Sequence, residues 1–232
     1  MGKKLTIIMP VYNEEKTVVK SLRRVLSLKL PNINIEVIVV NDGSTDKTAS
    51  ELRKIKDRRV TIMSHGFNRG KGAAIITAIK KMTGNIAVVQ DADLEYDPKD
   101  LGLLLSPILE GKADVVFGSR FVGSAPHRVM YFWHHVANMM ITYICDAVTN
   151  LNLTDIETGY KAFTKEVARS IKLKESRFGF DPEFTVKVAE NNFRVFEVGI
   201  SYAGRSYAEG KKISWKDGII AVWIIIKYAF FK

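Results

Sequence analysis

The chain has 232 residues, 35 of them lysine or arginine and 25 acidic, for a formal charge of +10. Hydrophobic residues at 47% and charged residues at 26% exclude a disordered, collagenous or coiled-coil chain and suit one substantial α/β domain. The single cysteine, Cys145, excludes a disulfide framework or a multi-cysteine zinc site. A cytoplasmic globular protein is expected, and its basic balance favours an anionic partner, whether nucleotide, nucleic acid or membrane.

Buried strands are expected over Leu5–Met9, Ile35–Val40, Val60–Met63 and Ile86–Gln90, each a short run rich in apolar residues. Crossover helices are expected over Glu14–Leu28, Asp46–Ile55 and Gly70–Met82, followed by a helix over Pro98–Glu110 and a strand over Asp114–Ser119. Asp46 has the chemistry to cap its helix, and Pro98 suits a first turn. Strand–helix alternation at this spacing means βαβ units and a mainly parallel sheet flanked by helices.

After Ser119 the alternation stops. Arg128–Asp146 reads as one long helix, with Val129, Phe132, Trp133, Val136 and Met140 on one face and His135, Asn138 and Thr142 on the other. Core packing is expected to cover the apolar stripe. A helix near Asp181–Glu190 and an alternating strand over Arg194–Val198 lead to a basic tail. Within it, Ile219–Phe231 gives 13 mostly apolar positions, short of the roughly 20 that a spanning helix needs. Arg205–Lys232 holds six basic and two acidic residues, with Trp215, Trp223 and Tyr228 among them. Such a segment suits either an interfacial helix on a membrane or a helix packed on its own domain. No repeat or linker divides the chain, so one domain is expected over residues 1–213 with an amphipathic helix over 214–232.

Ligands of an open parallel sheet bind beyond the carboxyl ends of its strands. The polar residues that follow the strands are therefore the candidates. Asp91 and Asp93, at i and i+2 after a buried strand, can offer oxygen ligands to one Mg²⁺ or Mn²⁺, with Glu95 as an additional ligand. Gly70-Lys71-Gly72 either cradles a phosphate at a helix N-terminus or supplies a tight turn. Neither a Walker loop nor a dinucleotide fingerprint is present, so Tyr12 and Asp42 become candidates for stacking on and hydrogen-bonding to a base.

The strings IMPVYNEE, VVNDGSTDKT, NRGKGAA, VVQDADLEYDP and DVVFGSRF, in that order, resemble the inverting family-two glycosyltransferases of GT-A type. Within them the chain is most similar to the dolichol-phosphate or polyprenyl-phosphate mannose synthases and their glucosyl relatives. The resemblance implies a GT-A fold, Rossmann-like and nucleotide-sugar-binding, and hexose transfer from GDP-mannose, or UDP-glucose as the alternative, to a polyprenyl or dolichyl phosphate. It implies that Pro10, Tyr12, Glu14 and Asp42 line the nucleoside pocket, and Lys71 of the Gly70-Lys71-Gly72 segment is a further candidate for binding the nucleotide. It further implies that Asp91 and Asp93 hold metal and sugar nucleotide, that Arg120 and Arg128 hold the acceptor phosphate, and that Arg205 and Lys212 fold over the diphosphate. The synthases commonly carry Gln where this chain has Glu95, which adds charge beside the metal.

A lipid phosphate is already anionic at neutral pH and needs no strong base; for a hydroxyl acceptor, Asp155 or Glu157 becomes the base candidate. A peripheral position on the cytoplasmic face of a membrane is expected. Two other classes fit less well. A sugar-nucleotide pyrophosphorylase should show a glycine-rich loop where PVYNEE stands, and a basic nucleic-acid-binding module, a partner not expected here, would have no use for Asp91 and Asp93.

Overall fold

The computed structural model describes residues 3–123, 128–205 and 215–231. Its first half is the expected alternation: β1 (Lys3–Val11), α1 (Val18–Leu26), β2 (Ile33–Asp42), α2 (Thr48–Arg53), β3 (Val60–His65), α3 (Lys71–Ile79) and β4 (Ile86–Val89). A 3₁₀ turn at Pro98–Asp100 leads into α4 (Leu101–Leu109) and β5 (Val115–Ser119). Asp97 caps that turn by accepting from the Lys99 N–H, with Pro98 in first place where no N–H is needed. Asp46, expected to cap α2, stands one residue ahead of the N-cap position, which is Lys47, and accepts the Thr48 N–H at 2.9 Å from there. The second half comprises α5 (Phe132–Thr149), β6 (Lys161–Thr164), α6 (Lys165–Ser170), α7 (Phe180–Glu190), β7 (Val195–Gly199) and α8 (Trp215–Phe230).

The seven strands form one sheet in the order β3-β2-β1-β4-β6-β5-β7. β1 pairs in parallel with both β2 and β4, while β6 runs antiparallel between β4 and β5. Chain order therefore reverses at the β1–β4 boundary, which opens a crevice beyond their carboxyl ends. Both faces are covered. Leu5, Ile7, Met9, Val37, Val39 and Val88 pack on one side with Leu22 of α1, Leu52 of α2 and Leu104 of α4. Ile8, Ile38, Val40, Ala87 and Val89 pack on the other with Ile75 of α3, Cys145 of α5, Phe184 of α7 and Ile225 of α8. Two-sided burial explains why β1, β2 and β4 read as unbroken apolar runs, whereas β3, expected to be buried, is an edge strand with Thr61 and Ile62 exposed.

The faces of α5 are the reverse of the expectation. Asn138, Ile141, Thr142 and Cys145 are the buried residues of this helix. Phe132 and Trp133, from the stripe assigned to the core, are 67% and 76% exposed, and Val129 and Met140 are exposed as well. The polar side is drawn inward by partners: Asn138 donates to Asp155, and the Thr142 hydroxyl accepts the Ile156 N–H. α8 packs on its own domain along part of its surface. Ala221, Ile224 and Ile225 are buried, and Lys227 pairs with Glu175 at 2.8 Å. Ile219, Ile220, Trp223 and Phe230 on the same helix are exposed. Among the described residues no helix is long and apolar enough to cross a membrane.

Candidate active site

A cavity of about 1240 Å³ occupies the crevice. Pro10 near the end of β1, Tyr12 and Glu14 after it, Asp42 at the end of β2, Lys71 at the start of α3, and Asp91, Asp93 and Glu95 after β4 all line it. Arg120 after β5 and Arg205 in the stretch after β7 line it too. The structure thus brings these ten candidates together. Arg128 stands apart. It borders a smaller, neighbouring cavity, with its backbone N–H donating to the Tyr202 carbonyl and its guanidinium to the Gly204 carbonyl. It therefore braces the segment that carries Arg205. Lys212 lies outside the described residues.

At the β2 end of the cavity, Asp42 accepts the backbone N–H groups of Arg69 and Gly70 at 3.0 and 2.7 Å, and its Oδ1 lies 2.6 Å from Nδ1 of His65. The carboxylate fixes the turn into α3 while facing the cavity. His65 was not visible as a functional residue in the sequence; its position at the end of β3 was the available signal. Gly70-Lys71-Gly72 proves to be a close-packed turn. The N–H groups of Gly72 and Ala73 donate to the carbonyls of Arg177 and Ser176, which fill the helix N-terminus where a phosphate would sit. Gly70 has φ +100, and a Cβ there would stand 2.3 Å from the Ser176 oxygen, so glycine is required on both counts. The Lys71 ammonium instead lies 2.9 Å from both carboxylate oxygens of Asp91. Burial alone would lower its pKa, but Asp91 and Asp181 outweigh burial and raise it.

Arg205 is the second counter-charge. Its guanidinium reaches Glu14 at 3.2 Å, Asp93 at 3.3 Å and Glu95 at 3.1 Å. Glu95 also accepts from the Tyr202 hydroxyl at 2.7 Å and the Arg205 N–H at 3.0 Å. Its carboxylate is engaged there, and among the described residues no three His, Cys, Asp or Glu side chains converge as a metal cage. Asp91 and Asp93 remain as a pair. Burial, then the charges of Asp91 and Glu95, push the Asp93 carboxyl up to about 7. A carboxylate pair short of positive charge fits a hard divalent cation that takes its other ligands from diphosphate and water.

Arg120 is held by Asp155 in a two-pronged pair, at 2.6 Å from Nε and 2.7 Å from Nη2, with Asn138 as a further acceptor. Asp155 has no solvent exposure. It is a positioning residue for Arg120, which removes it from the role of base. Sequence reasoning missed the cavity-lining Asp181, which pairs with the buried Lys161 behind it. Those two residues are 20 positions apart and carry no local motif.

Residues 6–172 match glycosyl transferase family 2, and the chain belongs to that family. It is a glycosyltransferase with the GT-A fold. Among curated relatives it is 27% identical to a UDP-N-acetylglucosamine–dolichyl-phosphate N-acetylglucosaminyltransferase from Methanococcus voltae, covering 91% of each chain. It is 28% identical to a dolichyl-phosphate beta-glucosyltransferase from Trichomonas vaginalis, over 98% of this chain and 73% of that one. A dolichol-phosphate mannosyltransferase from Pyrococcus furiosus is also 28% identical, over 90% of this chain and 60% of that one. The glucosyl-3-phosphoglycerate synthase of Mycobacterium tuberculosis, solved with Mn²⁺, UDP and phosphoglyceric acid, superimposes with a TM-score of 0.76 at 16% identity. That superposition covers 100% of this chain and 80% of the synthase, and it establishes the shared fold.

Proposed function

We propose that the chain transfers a hexose, with inversion, from a nucleotide sugar to a polyprenyl or dolichyl phosphate at a membrane surface. The observation that carries this reading is the double character of the cavity. One wall is ionic, built from strand-end residues Lys71, Asp91, Asp93 and Arg205. The other is apolar, built from α5 and α8 through Trp133, Met140, Ile144 and Val222. Trp133 and Met140 are also exposed, so the apolar wall continues onto the outer surface. A phosphate on a long hydrocarbon chain matches both walls. The names of the three relatives, all dolichyl-phosphate transferases with different sugars, support the same acceptor class.

Asp91 and Asp93 would hold Mg²⁺ or Mn²⁺, which supplies Lewis-acid neutralisation of the departing diphosphate. Arg205 and Lys71 stand where that negative charge develops. Arg120 is aimed by Asp155 and lines the cavity, where its guanidinium can meet an acceptor phosphate. The acceptor is anionic, so no base is required. Residues 214–232 belong, on this reading, both to the catalytic unit and to the membrane contact.

The test is transfer from GDP-mannose, UDP-glucose and UDP-N-acetylglucosamine to polyprenyl phosphate in vesicles with Mg²⁺ or Mn²⁺. A glycosyl phosphoryl lipid and one released nucleoside diphosphate are expected, with GDP-mannose the donor anticipated from the sequence. Equal transfer to a polyprenol lacking the phosphate would overturn the acceptor assignment.

A further inference from the structure

Glu157 stands on the loop between α5 and β6, and that loop has little freedom. The buried Lys161 ammonium donates to the carbonyl oxygens of Ile156 and Thr158, the residues on either side of Glu157. Asp155 is locked to Arg120, and the Gly159 N–H donates to the Tyr96 hydroxyl at 2.8 Å. The Glu157 side chain lines the main cavity. Among the described residues its Oε1 is the one buried side-chain nitrogen or oxygen without a hydrogen-bond partner. The nearby cations are committed elsewhere, Lys161 to Asp181 and Arg120 to Asp155. Burial, and then the Asp181 charge, push the Glu157 carboxyl up to about 8.

A polar atom left unpaired at the wall of a ligand cavity calls for a partner that arrives with the ligand. Gly159 shows which part of the ligand this is. A Cβ on that residue would stand 2.3 Å from Oδ2 of Asp91, so the loop bearing Glu157 presses directly on the ionic wall assigned to the diphosphate. The group bonded to that diphosphate is the sugar. We infer that Glu157 selects the donor hexose, accepting a hydrogen bond at Oε1 from one ring substituent. The inference rests on the nucleotide-sugar reading above and adds to it the residue that reads the sugar. A site that pairs one hydroxyl discriminates strongly against the analogue lacking it, because the buried group is then unpaired again.

The experiment takes the best donor of UDP-glucose, UDP-N-acetylglucosamine and GDP-mannose, with its single-deoxy analogues. It measures kcat/KM in the wild type, Glu157→Gln and Glu157→Leu, together with nucleoside diphosphate affinity and the Tm of the ligand-free protein. The wild type is expected to disfavour one deoxy position by about 100-fold or more. Glu157→Leu should lose that preference, affect the analogue lacking the hydroxyl little, bind nucleoside diphosphate as before and keep or raise its Tm. Glu157→Gln, which retains an acceptor oxygen, should keep most of the preference. Equal slowing of every donor, weakened nucleoside diphosphate binding, or a lowered Tm in both variants would overturn the inference while leaving the transferase reading intact. A wild type that turns over none of the three nucleotide sugars would overturn the donor reading and the inference together.

Discussion

At the scale of single residues, the site is a balance of buried charges. Asp93 carries more negative surroundings than Arg205 and Lys71 offset, so its removal relieves the ligand-free protein while taking away a proposed cation ligand. Asp93→Ala should therefore keep its Tm and lose about a thousandfold in turnover, as expected when several kcal/mol of charge stabilisation vanish. Near-normal turnover at saturating Mg²⁺ and Mn²⁺ would remove Asp93 from the metal assignment. Asp155→Asn should behave in the opposite way. It strands the Arg120 guanidinium in a buried place, and breaking such a pair costs about 3–5 kcal/mol. Urea unfolding measures this directly, and wild-type stability would mean that Arg120 is held by something other than Asp155. The carboxylate pair was legible in the sequence because its two members lie two positions apart after a buried strand. Glu157 could not be recognised as unpaired, since that depends on Lys161 and Arg120 being spent on Asp181 and Asp155, pairings that exist only in three dimensions.

At the scale of elements, periodicity located every helix but the six-residue α6 and mistook what covers one of them. Apolar spacing along α5 identifies a stripe, and a stripe facing outward has the same spacing as one facing a core. β6 escaped notice because it is four residues long and includes Lys161, a lysine buried against Asp181. The outward faces of α5 and α8 yield a prediction. Phe132 and Trp223 are 67% and 60% exposed, and burying a large apolar side chain contributes about 1.5–3 kcal/mol. Replacing both by glutamate should lower partition into anionic vesicles by about tenfold or more per site, with Tm and nucleotide affinity unchanged. Unaltered vesicle binding would count against these helices as the contact. Deleting α8 is the wrong variant for this purpose, because Ala221, Ile224 and Ile225 would leave the core uncovered.

At the scale of the whole molecule, one carboxylate ties three strands together. Glu36 on β2 accepts from the Lys4 ammonium and the Thr6 hydroxyl on β1, and from the N–H groups of Thr83 and Gly84 ahead of β4. Burial works against its charge, but the bonds from Lys4, Thr6 and Thr83 outweigh burial and hold the carboxyl down at about 2, against 4.5 when unperturbed. A depressed native pKa stabilises the fold above the unfolded value and loses that contribution as pH falls through the native one. Stability should thus decline between pH 4.5 and about 2, and Glu36→Gln should flatten that part of the acid unfolding curve. An unchanged acid limb would show that other carboxylates set it.

α8 has a further consequence for kinetics. Ile219 belongs to the cavity wall and to the exposed apolar surface at once. On the proposed function, a chain seated on a bilayer through that helix would meet a lipid acceptor by diffusion in two dimensions. Its rate then follows the mole fraction of acceptor within the membrane, and diluting the acceptor with inert lipid slows turnover even when the total amount of acceptor in the tube is held constant.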